Sequence, residues 1–272
     1  MMKLTTMGLS IGAGTETLLA SINLEVQAGQ TLAILGPNGS GKSTLIRTMA
    51  RQLKPHSGKI FLEGTDIWSI SPGAFARQVA YVSQSQVFPE HLTILDYTRL
   101  GRNPHQTWWQ WDQSENDRSL VRKALEATSL WELRERRLAT LSGGERQRAS
   151  VAIALAQDPK FILLDEPTAH LDFCHQQELL QLLLHLKTNT GLAIIIVLHD
   201  LNAAHRLADR VLLLSKSTSA RSEIASYGNA DDILQVDTLQ AVFNVRFAQL
   251  ADRSGEKYFV SKANLDEVAG ID

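Results

Sequence analysis

Eight consecutive residues, Gly36, Pro37, Asn38, Gly39, Ser40, Gly41, Lys42 and Ser43, fill the pattern G-x-x-x-x-G-K-[ST], and Thr44 follows them. These types at this spacing specify phosphate chemistry. Glycines let the backbone curl so that successive N–H groups point inward at an anion. A helix that starts just behind the loop adds unpaired donors and a positive dipole end. The Lys42 amine can reach β- and γ-phosphates, and the Ser43 hydroxyl can ligate Mg²⁺. The flanks separate this reading from an ordinary glycine-rich turn. Residues 31–35 are an apolar run of strand type, and 45–50 read as a helix. The loop implies a nucleoside triphosphate without saying what its energy is used for.

Two further stretches carry chemistry. Asp165 and Glu166 follow four apolar residues, 161–164. A carboxylate leaving such a strand stands at the sheet's C-terminal edge, where open α/β sheets bind ligands. Asp165 can hold Mg²⁺, directly or through water. Glu166 would point towards the γ-phosphate and polarise an attacking water as a general base. Alone, such a pair is weak evidence, since solvated carboxylates are common at strand ends; downstream of a filled phosphate loop it is strong. Ser142, Gly143 and Gly144 precede Glu145. A serine N-cap with glutamate three residues on is a capping box, and two glycines leave a bare helix N-terminus able to grip an anion. By itself this is also an ordinary helix start.

The elements that must position these residues follow from periodicity. Residues 3–30 alternate loosely and predict an antiparallel β-layer, with period-two character over 18–26 and a turn at 28–30. Short strands are predicted at 59–64 and at 80–84, the latter ending on Gln84. Residues 88–160 hold few strand signals and predict a helical insertion, with an amphipathic helix at 120–127 and another from Ser142 to about Gln157. Apolar strands at 161–166, 193–198 and 211–214 alternate with a leucine-rich helix at 177–187. That alternation argues for a mostly parallel sheet covered on both faces. The fold class is therefore α/β, of the phosphate-loop nucleotide-hydrolase kind. Residues 215–222 read as a polar loop and 230–234 as a short helix, and nothing is assigned from Asp252 onward.

Composition removes several function classes. The chain has 272 residues, 44% of them hydrophobic, and a net charge of −2, so it lacks the general basic footprint of a nucleic-acid binder. A single cysteine, Cys174, allows neither an internal disulfide nor a cysteine metal site. No apolar run approaches the ~20 residues of a membrane span, and the N-terminus lacks a signal-peptide core. His56, His91, His175, His185 and His205 show no ligand spacing, which leaves Mg²⁺ as the metal expected.

Together, the loop, the Asp165–Glu166 pair and the Ser142–Gly143–Gly144 start resemble the ATP-binding subunits of ABC transporters, over about residues 3–250. The resemblance implies roles that the residues alone do not. Residues 36–44 correspond to the Walker A loop, 161–165 to Walker B, and Glu166 to the catalytic carboxylate. Gln84 corresponds to the Q-loop glutamine that senses Mg²⁺ and water, and His199 to the switch histidine that contacts the γ-phosphate. Ser142, Gly143 and Gly144 correspond to the signature, which in this family faces the phosphate loop of a second copy in a head-to-tail homodimer holding two ATP. Without the family, Gln84 would read as polar surface and His199 as structural. Two departures stand out. The position near Ala13, where the family places an adenine-stacking aromatic, has none nearby. The D-loop is Ala169-His170-Leu171-Asp172 in place of Ser-Ala-Leu-Asp.

The segment Leu100-Gly101-Arg102-Asn103-Pro104-His105 resembles the Gly-Arg-x-Pro-His segment of importers of iron–siderophore, haem and vitamin B12, and otherwise reads as a turn between helices. The signature and the run 197–202 are similar to the ferric-siderophore members. The resemblance implies two permease subunits as partners, a substrate-binding protein reached indirectly, a peripheral place on the cytoplasmic face of the membrane, and no nucleic acid. A soluble ABC ATPase, for example in iron–sulfur assembly, and an exporter subunit are the competing classes. Trp108, Trp109 and Trp111 read either as packing within the insertion or as a contact with the membrane subunit.

Overall fold

The alternating N-terminal residues form an antiparallel layer. Strands β1 (Lys3–Ala13), β2 (Glu16–Ile22) and β3 (Glu25–Gln27) precede β4 (Thr31–Leu35) and helix α1 (Lys42–Met49). Then come β5 (Ser57–Leu62), β6 (Thr65–Asp66), α2 (Pro72–Ala76) and β7 (Val79–Val82). The helical stretch follows with α3 (Ile94–Arg99), a 3₁₀ turn at Leu100–His105, α4 (Glu115–Ala127) and α5 (Gly143–Ala156). The α/β pattern resumes with β8 (Phe161–Asp165), α6 (Phe173–Thr190), β9 (Ala193–Val197), α7 (Leu201–Leu207), β10 (Arg210–Lys216) and β11 (Ser222–Asn229). Helices α8 (Ala230–Ile233) and α9 (Val236–Phe243) lead to β12 (Phe247–Ala251) and β13 (Lys257–Ser261). This computed structural model describes residues 2–14, 16–106, 114–169, 171–216, 222–251, 253, 255 and 257–261. Trp108 to Trp111, His170 and most of the polar loop after Lys216 lie outside the described residues.

The central sheet has the order β11-β10-β4-β9-β8-β7. Its strands from β10 to β7 run parallel and only β11 is antiparallel. Strands β4, β8 and β9 are buried at every residue, as a sheet covered on both faces requires. Successive side chains leave a strand on opposite faces, and the core divides accordingly. Ala33, Ile162, Ile194 and Ile196 pack with Leu179 and Leu183 of α6. Ile34, Leu163, Ile195 and Val197 pack with Leu45, Ile46 and Met49 of α1 and with the antiparallel layer. That layer has β1 paired to β2, β3 and β5.

The insertion has its own apolar cluster, including Ile94, Val121, Leu125 and Ala149. A buried ion pair ties its start down: Arg102 Nε donates to Asp117 Oδ1 at 2.7 Å and Arg102 NH1 to the Ala156 carbonyl at 2.7 Å. His105 Nε2 lies 2.9 Å from the Gln157 carbonyl, and Gln157 Nε2 donates to the Val79 carbonyl at 2.9 Å. The segment read as a turn is thus a 3₁₀ helix that fastens α4 and α5 to the edge strand β7.

Beyond Ala251, where the sequence supports no assignment, β13 pairs antiparallel with β12. Phe259 is buried, and the Asn202 amide binds its backbone in both directions, at 3.1 and 2.7 Å. The hairpin is thereby pinned to the first turn of α7. Strand β7 ends at Val82, two residues before Gln84, so Gln84 sits on the loop and not on the strand.

Candidate active site

The loop 36–44 leaves the C-terminal end of β4 and runs straight into α1. Gly36 has φ +147°, and a Cβ there would lie 2.6 Å from the Leu214 carbonyl oxygen. Gly41, the N-cap of α1, has φ +90° and no side chain to cap the helix, so the first N–H groups of α1 stay available to an anion. Ile11 and Leu19 press on Gly41 from the antiparallel layer. The contact that the layer makes with the loop here is aliphatic. The Ser40 hydroxyl is buried and has no hydrogen-bond partner among the described residues. An unpaired buried hydroxyl costs stability unless something outside the chain satisfies it, and on a glycine-rich loop at a helix N-terminus an anion is the fitting partner.

Lys42 is only 4% exposed, and its amine donates to the carbonyls of Gly36 at 2.9 Å and Pro37 at 3.0 Å. Burial pushes its pKa down, while Glu166 and Asp165 pull it back up. The ammonium is held across its own loop with two carboxylates in its field.

Asp165 ends β8 and is 3% exposed. Its Oδ1 accepts from Ser43 Oγ at 2.9 Å and its Oδ2 from Tyr81 OH at 3.4 Å. Burial raises the Asp165 pKa, and the Ser43 hydrogen bond opposes that. Burial together with the neighbouring Asp165 charge pushes the Tyr81 hydroxyl up as well, so it stays a donor. A hydroxyl and a carboxylate already in contact form a hard, all-oxygen donor set, which suits Mg²⁺ rather than a softer metal. Among the described residues no group of three His, Cys, Asp or Glu could hold a metal.

Glu166 lies one residue beyond β8 at φ +49°, a conformation uncommon for a non-glycine residue. That turn aims its carboxylate between two donors. Gln84 Nε2 donates to Oε2 at 2.8 Å, and His199 Nε2 lies 2.8 Å from Oε1. A carboxylate only accepts, so His199 carries its proton on Nε2 here. Asp200 caps α7 through the Asn202 N–H at 2.8 Å, which sets the position of His199 just before that helix.

The structure therefore gathers Lys42, Ser43, Asp165, Glu166, Gln84 and His199 at the C-terminal edge of the sheet. It does not gather Ser142, Gly143 and Gly144 with them. These begin α5, where Ser142 Oγ accepts from the Glu145 N–H at 3.2 Å and Glu145 accepts from the Ser142 N–H at 2.8 Å. Among the described residues no hydrogen bond joins them to the loop.

The family model described as "ABC transporter" matches residues 19–169, which holds the loop, the capped glycines and the carboxylate pair. The chain belongs to the ABC transporter family. It is an ATPase domain of that family. The petrobactin import ATP-binding protein of Bacillus anthracis is 41% identical over 243 residues, 89% of this chain and 86% of the relative. The achromobactin transport ATP-binding protein of Dickeya dadantii is 40% identical over 90% of this chain and 89% of its own. A solved ABC transporter described as of the metal-chelate type, in an inward-facing conformation, superposes with a TM-score of 0.81 at 28% identity, covering 96% of this chain and 98% of that one. An ATP-binding cassette solved as a dimer with ADP and Pi gives a TM-score of 0.68 at 25% identity, over 84% of this chain and 98% of that one.

Three residues at or near this ABC site carry no functional signal in the sequence. Tyr81 touches Asp165 but reads in sequence as a strand tyrosine. Lys216 ends β10 with its amine 3.1 Å from where a Cβ on Gly39 would lie. His175 contacts Asp172 and Gly144. Tyr81 and Lys216 act across strands far apart in the chain, and His175 meets Gly144 across two helices, so the sequence around each carries no mark of the contact.

Proposed function

We propose that this chain hydrolyses ATP to energise import of an iron chelate through a membrane permease, with a ferric siderophore as cargo ahead of haem or cobalamin. Similarity of about two residues in five along nearly the whole chain to petrobactin and achromobactin transport proteins carries this reading. The working unit is a head-to-tail homodimer, bound to two permease subunits at the cytoplasmic face and served indirectly by a substrate-binding protein.

In this unit residues 36–44 bind the ATP phosphates. Ser43 and Asp165, joined by the carbonyl oxygen of Gln84, would hold Mg²⁺, which neutralises phosphate charge when bound. Glu166 takes the proton of the attacking water, and Gln84 and His199 hold its carboxylate in place until it does so. Ser142, Gly143 and Gly144 close the nucleotide site of the second copy.

The test is uptake. Cells that lack the chain should lose accumulation of labelled ferric siderophore, and the wild-type chain but not Glu166→Gln should restore it. Unchanged uptake of ferric siderophores, haem and cobalamin alike would move the protein to the soluble or exporter classes. The dimer has its own test. Ser142→Arg should block the facing site yet spare ATP binding to the monomer. Pairing it with a Lys42→Ala copy puts both lesions on one composite site and leaves the other complete. Full hydrolysis by the Ser142→Arg homodimer refutes the head-to-tail arrangement.

A further inference from the structure

The first turn of α6 holds a contact that none of these roles uses. Asp172 is the N-cap of α6, and its Oδ1 accepts from the His175 N–H at 2.9 Å. The His175 ring turns back as well: Nδ1 lies 2.8 Å from both Oδ1 and Oδ2 of Asp172. Since the carboxylate only accepts, Nδ1 carries the proton and the ring orientation is fixed. The other edge of the ring lies on Gly144. A Cβ at Gly144 would fall 2.1 Å from His175 Cδ2 and 2.4 Å from Cγ, so the imidazole occupies the space of the missing side chain. One turn further along both helices, Arg148 NH1 donates to Glu178 Oε2 at 2.5 Å. Gly144 and Arg148 are four residues apart on α5, and His175 and Glu178 three apart on α6, so each pair shares a helix face.

Asp172 is itself close to the hydrolytic carboxylate along the chain. The Ala169 N–H donates to the Glu166 carbonyl at 3.1 Å, and the Leu171 N–H to the Thr168 carbonyl at 3.4 Å. Asp172 is thus six residues from Glu166 along the chain, it accepts from two donors of His175, the backbone N–H and Nδ1–H, and His175 packs on Gly144.

We propose that His175 is a positioning residue that locks the phosphate-gripping start of α5 to the loop behind Glu166. Each chain then presents its capped glycines to the second copy in a pose set by its own hydrolytic site. The inference rests on the head-to-tail arrangement proposed above. It requires both ends of the ring: the Asp172 bond orients it, and the face against Gly144 transmits the position. A coupling of this kind is typically worth about 5- to 150-fold in an equilibrium.

The test uses the full chain in the Glu166→Gln background, in which ATP should trap the dimer. Three properties are measured: ATP affinity of the monomer, the ATP concentration for half-maximal dimerisation, and the melting temperature. His175→Ala removes both contacts. His175→Asn keeps a donor for Asp172 but removes the ring face from Gly144. Both should leave monomer affinity and melting close to the parent and raise the ATP needed for dimerisation by about tenfold or more. Dimerisation by His175→Ala at parental ATP overturns the proposal. Full rescue by His175→Asn overturns it too, because capping of α6 would then explain the residue. Loss of monomer affinity in His175→Ala overturns it in favour of a general folding role. A Glu166→Gln parent that stays monomeric with ATP instead refutes the head-to-tail arrangement, and the proposal falls with it.

Discussion

Glu166→Gln is the sharpest perturbation that the geometry offers. Both oxygens of the carboxylate accept from donors, Gln84 Nε2 and His199 Nε2, each at 2.8 Å. A glutamine presents one oxygen and one NH₂, so one of the two partners faces an NH₂ in place of an oxygen: Gln84 Nε2 cannot accept from it, and His199 can do so only by moving its proton to Nδ1. The loss is one charge-assisted hydrogen bond, worth about 1.5–3 kcal/mol, and it falls on the ordering of Gln84 and His199. Side-chain length is unchanged, and the left-handed backbone at Glu166 is no harder for glutamine. The fold and the phosphate loop should therefore be untouched. Chemistry should not be. Removing the general base takes away about 10²–10⁴-fold in rate, which is ~3–5.5 kcal/mol in the barrier. Steady-state ATP hydrolysis read beside nucleotide titration separates the two: kcat should fall by at least ~100-fold while affinity stays within about threefold. Hydrolysis within a few-fold of wild type would refute the assignment of Glu166, and weakened affinity with intact kcat would place the residue in binding instead.

Lys42→Ala removes an ammonium that bridges two loop carbonyls, so affinity and turnover should both fall, affinity by about 10- to 100-fold from the loss of one or two charge-assisted bonds; unchanged titration and hydrolysis would discard the phosphate-loop reading. Arg102→Ala strands the buried Asp117 carboxylate and should cost about 3–5 kcal/mol, a fall of ~6 °C or more in melting temperature, whereas Arg102→Met with Asp117→Leu should recover much of it. Burial alone would raise the Asp117 pKa, but hydrogen bonds from Ser114 and Arg102 hold it below the usual range. Its stabilisation is therefore complete above the unfolded carboxyl value of about 4 and is lost as pH falls through the lower folded one, so the Arg102→Ala deficit should shrink in acid melts. Gly143→Ala should melt at or above the wild-type temperature, since alanine favours a helix by up to ~1 kcal/mol over glycine, while ATP-driven dimerisation and hydrolysis fall.

Local signals carried most of the architecture. The loop, the apolar strands β4, β8 and β9 and the capping box at Ser142 are each complete within a few consecutive residues, so they were legible without a partner in view. The C-terminal hairpin was not. In β13 only Phe259 is buried, which leaves no period-two signal, and its anchor is a bond to Asn202, 57 residues away. The Gly101–His105 stretch read as a turn for the same reason: what fixes it is Asp117, 15 residues on. The spacing of His175 suits no metal, and what places it is packing on Gly144 and the cap at Asp172. Gln84 and His199 were found only through the family pattern. Their chemistry lies in a shared partner, Glu166, which periodicity cannot show.

Glycine has two different causes at the start of α5. A Cβ on Gly144 would collide with the His175 ring, so the chain's own packing excludes a side chain there. At Gly143 none of the described residues lies within 4 Å of where a Cβ would be, and the residue sits in the first turn of a regular helix. Nothing among the described residues asks for glycine at 143, and helix propensity argues against it. The same holds for the bare helix start as a whole: its N–H groups face no partner from the loop of their own chain. A feature that costs stability locally and gains nothing internally is explained by what approaches from outside. In a family whose domains bind ATP, an anion held by another copy fits that description, since backbone N–H groups can reach a phosphate oxygen only where no side chain stands between them. On the head-to-tail arrangement proposed above, Gly144 would fix the pose of the helix start from within, and Gly143 would keep it open to a γ-phosphate from without.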